Sequence, residues 1–313
     1  MIAALLLSVF TLVELNCENL FDVKDDSLKQ DEQFTPEGLY HWTYARYWKK
    51  VNHIGQEIIS CGEQADGTFS IPDLVALCEV ENDSVVHDLT HRSMLRNAGY
   101  EYVVTDSPDE RGIDVALLYS PLTFGYIRSY PIRIAPRKNM KPTRDILYVE
   151  GCTASGDTLH VFVVHAPSRS GGEIETHPNR ALVTKRLAQS VDSIMQISPD
   201  ANIIVTGDFN DPHDGHSMGV LYDAGLVSVS KDAKGKNGAG GSYKYRGEWE
   251  TIDQILLSGS LAAGAECRIH DAPFLLCKDE DYGGMRPFRN FQSIKWRNGF
   301  SDHLPLVARF QVN

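Results

Sequence analysis

Five times along this chain a short apolar run of strand-like composition meets a side chain that cannot be buried alone. Phe10 to Leu15 leads to Asn16 and Glu18. Leu74 to Leu77 leads to Glu79, and Val161 to Val164 to His165. Ile203, Ile204 and Val205 run through Thr206-Gly207 to Asp208 and Asn210, and Ser301, Asp302 and His303 precede the last run. Short β-branched and apolar stretches of this kind are the composition of buried strands. A strand that ends on a carboxylate, amide or imidazole fixes that group at the edge of a rigid sheet while the following loop keeps it reachable. One such end alone is equally well explained by an Asx-type turn closing on its own backbone. Glu79 adds weight, because a carboxylate placed directly after a buried run needs a cation or an arginine beside it.

The chain has 313 residues, 42% hydrophobic and 23% charged, and neither a Pro/Ser-rich linker nor an internal repeat divides it. One domain over 1–313 is expected. The net charge is −12. Non-specific affinity for nucleic acid comes mostly from neutralising phosphates, so a long DNA-binding surface is disfavoured. A local basic site bridged by divalent cations keeps nucleic acid among the candidate partners. The six cysteines show neither a CxxC nor a zinc-type spacing. Cys267 and Cys277 flank a plausible hairpin, and both the paired and the thiol form are open. The opening MIAALLLSVF is too short to span a bilayer, which takes ~20 residues. It also lacks the basic start and cleavage site of a signal peptide. Residues 1–9 read either as a signal remnant or as the lead into strand one, so cytoplasmic and exported locations both stay open. A monomer without a transmembrane segment is expected.

Tyr47, Val51, Ile54 and Ile58 recur at helical spacing in 44–60, which puts Lys49 and Lys50 on a solvated face and leaves His53 structural. A short helix is expected over 83–97. His87 and His91 stand there at i, i+4, a metal spacing without a third ligand. Residues 133–144 are the densest basic stretch, with Arg144 at its end, and Arg111 lies in the charged turn after EYVVTDS. Arg180 opens a helix over 179–195. The Gly-rich segment 230–247 reads as a long mobile loop and 271–299 as another. Asp253 interrupts the apolar run of a strand over 249–258 and demands a hydrogen-bond partner such as a histidine.

Oxygen ligands with few cysteines suit a hard cation such as Mg²⁺ or Mn²⁺. A His–Asp pair plus a separate Asp suits acid–base and electrostatic work on phosphate. LNCENLF, LCEVEN, VVHAPS, TGDFND, IDQILLS and FSDHLPL stand in this order along the whole chain. In that order they resemble the endonuclease/exonuclease/phosphatase superfamily. The resemblance implies an α/β fold: a four-layer α/β/β/α sandwich of two packed, mostly antiparallel sheets. It implies Glu79 as the principal metal carboxylate, with Asn16, Glu18 and Asp302 in the metal network. Asp208 then handles the attacking water, with Asn210 as its orienting neighbour. His303, aligned by Asp253, is the catalytic pair, and His165 matches a further catalytic position. Arg111, Arg144 and Arg180 match no motif and are phosphate-binding candidates on charge alone. The implied activity is divalent-metal-dependent hydrolysis of a phosphodiester or phosphomonoester by in-line water attack. Nucleic acid, lipid phosphate and inositol phosphate are its alternative substrates. An inactive binding scaffold on the same fold would have lost Glu79, Asp208, Asp253 or His303, and all four are present.

Overall fold

The computed structural model describes residues 8–64 and 67–312. Most of the N-terminal segment discussed above, residues 1–7, lies outside the described residues, while Val9 already belongs to the first strand, Ser8–Leu20. Two six-stranded sheets carry the chain. The first is ordered Glu266–Ile269, Leu306–Val312, Ser8–Leu20, Leu74–Val80, Asp114–Tyr119, Glu101–Val104. The second is ordered Phe124–Ile132, Ile146–Thr153, Thr158–His165, Asn202–Asp208, Asp253–Ser258, Leu226–Ser228.

Each sheet is antiparallel except for one internal pair: Ser8–Leu20 with Leu74–Val80, and Thr158–His165 with Asn202–Asp208. Parallel neighbours need a long crossover, usually a helix. The helices Tyr44–Ser60 and Glu173–Ile197 supply them. Strand alternation sorts the side chains into layers. Leu12, Leu74 and Ala76 meet Val161, Ile204 and Ile255 between the sheets. Val13, Leu15 and Leu77 pack outward on Val51, Ile54 and Ile58 of the first helix. Phe162, Val164 and Ile203 pack outward on Val183, Leu187 and Val191 of the second. The result is the expected α/β/β/α order. Because the two strands of a parallel pair end together, Asn16 comes beside Glu79 and His165 beside Asp208.

The second parallel pair depends on one glycine. Gly207 has φ +138°, and a Cβ there would lie 1.9 Å from the Val164 carbonyl oxygen. Only glycine lets the two strands approach so closely just before Asp208.

Several local expectations need correction. The helix expected over 83–97 is three short pieces, an α-turn at Asp83–His87, a π-turn at Asp88–Arg92 and a 3₁₀ turn at Met94–Asn97. Asn82 and Ser93 side chains cap the two turns that follow them, which divides the segment. The rings of His87 and His91 stack at 4.6 Å, and the described residues hold no third ligand for them. The strand expected over 249–258 begins at Asp253, and Glu248–Glu250 pairs instead with Tyr243–Tyr245. The supposed loop 271–299 contains two small hairpins, Leu276–Lys278 with Met285–Pro287 and Phe291–Gln292 with Lys295–Trp296. Cys267 and Cys277 are free thiols. Lys50 is not solvated: it is buried under the first helix. Among the described residues no helix is long and apolar enough to cross a membrane.

Candidate active site

The site forms where the two parallel pairs end. Asn16 from the first sheet donates through Nδ2 to Asp208 Oδ2 of the second at 3.1 Å, joining the sheets at their edge. His165 and Asp208 are register partners. His165 Nε2 lies 3.7 Å from Asp208 Oδ2 and 3.9 Å from Glu79 Oε1. Both distances exceed hydrogen-bond length, so the three groups surround a common space rather than saturate one another. Glu79 Oε2 accepts the Asn19 N–H at 2.8 Å. Arg111 donates to Asn19 Oδ1 and stands 3.7 Å from Glu79 Oε1.

The backbone is strained at these positions. Glu18, Asn19, Glu79 and Asn210 have φ of 51°, 57°, 60° and 50°. Left-handed conformations in non-glycine residues persist where the surroundings over-determine them, and they cluster at functional sites. At Asn210 the turn is closed by its N–H, which donates to Asp208 Oδ1 at 2.8 Å. Its side chain donates to the Ala166 carbonyl at 3.2 Å. The Asx turn and the placement of Asp208 at the candidate site are therefore one structure.

Asp253 sits directly across from Asp208 in the antiparallel ladder. His303 donates through Nδ1 to Asp253 Oδ2 at 2.8 Å, and the Ser242 hydroxyl donates to the same oxygen at 2.5 Å. The Tyr243 ring lies 4.8 Å from the His303 ring, and a single bridge joins the two backbones. The turn before His303 is tied to the first strand, with Ser301 Oγ donating to the Asn16 carbonyl at 2.6 Å.

Burial and like charge govern the electrostatics. Burial and then the Asp253 charge push Asp208 up to about 7, against the pull of His303 and the Asn210 N–H. Burial, then Arg144 and Arg111, hold His165 well below the usual histidine range, so it is neutral. Burial opposes charge on His303, but Asp253, Asp302 and Asp208 outweigh it and raise its pKa well above the usual value. Glu14, two residues before Asn16, faces the same carboxylates from between the sheets. Burial, then the Asp253 and Asp208 charges, raise its pKa well above the usual carboxylate value. The donor set fits a hard divalent cation. Glu79 and Asp208 offer carboxylate oxygens, Asn16 adds an amide whose Oδ1 accepts the Glu18 N–H at 3.0 Å, and Asp208, Asp253 and His303 present ligand atoms within 4.8 Å of one another. A cation there would offset a local excess of buried negative charge.

The other expected residues are drawn into different work. Glu18 turns from the centre. Its oxygens accept the N–H groups of Asn290 at 2.6 Å and Phe291 at 3.1 Å. Asp302 binds Arg289 at 2.8 Å. Arg144 is buried, donating to Asp109 at 3.0 Å and to the Ala166 carbonyl at 2.8 Å, so it braces the wall behind His165. Arg180 does not join the cluster. It donates to Thr176 Oγ1 at 2.8 Å and the Glu173 carbonyl at 3.1 Å within its own helix. Asn19 stands in the polar cluster that ends the first strand, whereas Ser242, Tyr243, Arg289 and Glu14 are added by the structure. Only Glu14, a lone acid inside an apolar run, carried a readable signal.

A sequence model of the endonuclease/exonuclease/phosphatase family matches residues 11–311. The chain belongs to this family. Its members among the structural neighbours are hydrolases acting on phosphate esters. The human nocturnin catalytic domain with bound sulfate is 19% identical over 97% of this chain and 95% of that one, with a TM-score of 0.59. An endonuclease/exonuclease/phosphatase family protein from Bacteroides thetaiotaomicron is 15% identical over 98% and 99%, with a TM-score of 0.62. A mannosyl-6-phosphatase from the same organism is 16% identical over 96% and 99%, with a TM-score of 0.60. At these identities the likeness is one of fold. No curated protein matches the sequence.

Proposed function

We propose that this protein is a divalent-metal-dependent phosphoesterase that hydrolyses a phosphodiester or phosphomonoester by in-line attack of water. The observation that carries this is the convergence of Glu79, His165 and Asp208 on one space, with the Asp253–His303 pair beside it. Glu79 and Asn16 would hold Mg²⁺ or Mn²⁺, with Glu18 and Asp302 ordering the segments behind them. When bound, such a cation would supply Lewis-acid polarisation of the phosphoryl group.

The side chains divide the remaining work. Asp208, with a pKa near 7, accepts the proton of the attacking water as the new P–O bond forms opposite the breaking ester bond. Asn210 fixes the Asp208 carboxylate through its N–H. His303, kept protonated by Asp253, stabilises charge developing on the phosphoryl oxygens. His165 is neutral, so its Nε2 offers a hydrogen bond without adding a cation to the site. Arg111, 44% exposed beside Glu79, is placed to take an incoming phosphate oxygen.

The net charge of −12 favours a small phosphate ester over long duplex DNA. The fold likeness to a mannosyl-6-phosphatase puts sugar phosphates first in the panel to be tried. The deciding experiment measures hydrolysis of bis-(p-nitrophenyl) phosphate, sugar phosphates, inositol phosphates, phospholipids, nucleotides, DNA and RNA with Mg²⁺ or Mn²⁺. Activity surviving EDTA together with Asp208→Ala or His303→Ala would overturn the proposal.

A further inference from the structure

The first helix aims two polar side chains, Lys50 and His53, at the segment that carries His303. Lys50, His53 and Glu57 share one face of Tyr44–Ser60 at i, i+3 and i+7. The Lys50 side chain is 0% exposed, donates to the Phe300 carbonyl, and lies 3.9 Å from Glu18 Oε2. His53 donates through Nδ1 to the Gly299 carbonyl at 2.8 Å, and its ring stacks on Phe300 at 4.6 Å. Glu57 is fully buried and closes the same face. A lysine without solvent contact is costly unless its ammonium has partners. Here the partners are a carbonyl of the catalytic segment and the carboxylate that holds the Asn290 and Phe291 N–H groups.

We infer that Lys50 is a positioning residue, clamping residues 299–303 through Phe300 and Glu18 so that Ser301, Asp302 and His303 keep their places at the site. The inference rests on the phosphoesterase reading for its effect on rate, but its geometry stands apart from that reading. The first sheet lies between the first helix and the Asp208 strand, whose own ladder is in the second sheet, so release of Lys50 acts first on the wall that carries 299–303. Ser301 then loosens its hold on the Asn16 carbonyl, and the His303 ring loses its fixed aim. Misplacement of a reacting group by about 1 Å costs on the order of 100-fold in rate.

The test uses the full chain carrying Lys50→Met, with His53→Leu as a second variant that removes the donor to the Gly299 carbonyl from a partly exposed position. Hydrogen exchange by mass spectrometry and steady-state kinetics are read on each variant that melts cooperatively. Faster exchange is expected in 289–291 and 299–303, with 202–208 unchanged. A kcat fall of about 10- to 100-fold is expected with KM within threefold. Unchanged exchange in 299–303, or a kcat within threefold of the parent in both folded variants, overturns the inference. If the parent protein hydrolyses no phosphate ester, the functional reading fails, and the exchange pattern alone decides whether Lys50 orders this segment.

Discussion

Asp208 and Asp253 face each other as direct partners across two antiparallel strands, 2% and 0% exposed. Burial and this second carboxylate raise the Asp208 pKa to about 7. The sign of the consequence follows from proton counting. Between the unfolded value near 4 and about 7, the folded state holds a proton that the unfolded state has released. Stability from this group is therefore full below pH ~4 and falls as pH rises to about 7. In chelated protein, Asp208→Asn should change the melting temperature little at pH 5 and raise it at pH 8. A difference that does not grow with pH would sink the assignment. Added Mg²⁺ should restore the parent protein at pH 8 and have less effect on the variant.

The His303–Asp253 bond at 2.8 Å makes the two residues a unit. His303→Ala and Asp253→Asn should each lower kcat on bis-(p-nitrophenyl) phosphate by about 10²–10⁴. The double variant should be little worse than either single one, because groups acting together are not additive. A double variant that loses the product of both effects would show them working separately.

Glu79 tests the cation. Its two oxygens face Asn19, Arg111 and His165, not a second carboxylate within its own strand. Glu79→Gln keeps the shape and removes the charge. Calorimetric titration should then give Mn²⁺ affinity weaker by about 100-fold or more, since even outer-shell changes at metal sites cost 10- to 100-fold. Equal affinity in parent and variant would place the cation elsewhere.

Much of this arrangement was legible in the sequence because strand ends are local events. An apolar run that stops at Glu79, His165 or Asp208 announces both the strand and the polar group at its tip. The crossover helices then follow from the 3.6-residue period. What was hidden is contributed by contact across the fold. Residue type argues for water at Lys50, although its i+3 and i−4 spacing to Tyr47 and Ile54 sets it on the flank of the core stripe, and only the Phe300 carbonyl and the Glu18 carboxylate, both far from it in sequence, explain its burial. Ser242 follows a run of glycines that suggests mobility. Asp271 instead gathers the N–H groups of Lys236, Asn237 and Ala239 and fixes that run. Glu18 was read with its neighbour Asn16, but its left-handed backbone turns it toward Asn290.

Arg111 and Arg180 separate a phosphate contact from a scaffold contact. Arg111 is half-exposed at the mouth, beside Glu79 and Asn19. Arg180 is 1% exposed and spends its donors on Thr176 and Glu173 in the first turns of a helix that also contains Pro178. That proline has no N–H for the Ile174 carbonyl, and Arg180 separately supports the Glu173 carbonyl one residue earlier. Arg111→Met should raise KM for an anionic phosphate ester by about tenfold, the loss of one charge-assisted hydrogen bond worth ~1.5 kcal/mol, with the melting temperature nearly unchanged. Arg180→Met should do the reverse, lowering the melting temperature by several degrees, as a loss of ~1–2 kcal/mol does in a chain of this size, with KM unaffected. Steady-state kinetics and thermal melts on the two variants decide it, and a KM effect of equal size at both positions would return Arg180 to the substrate site.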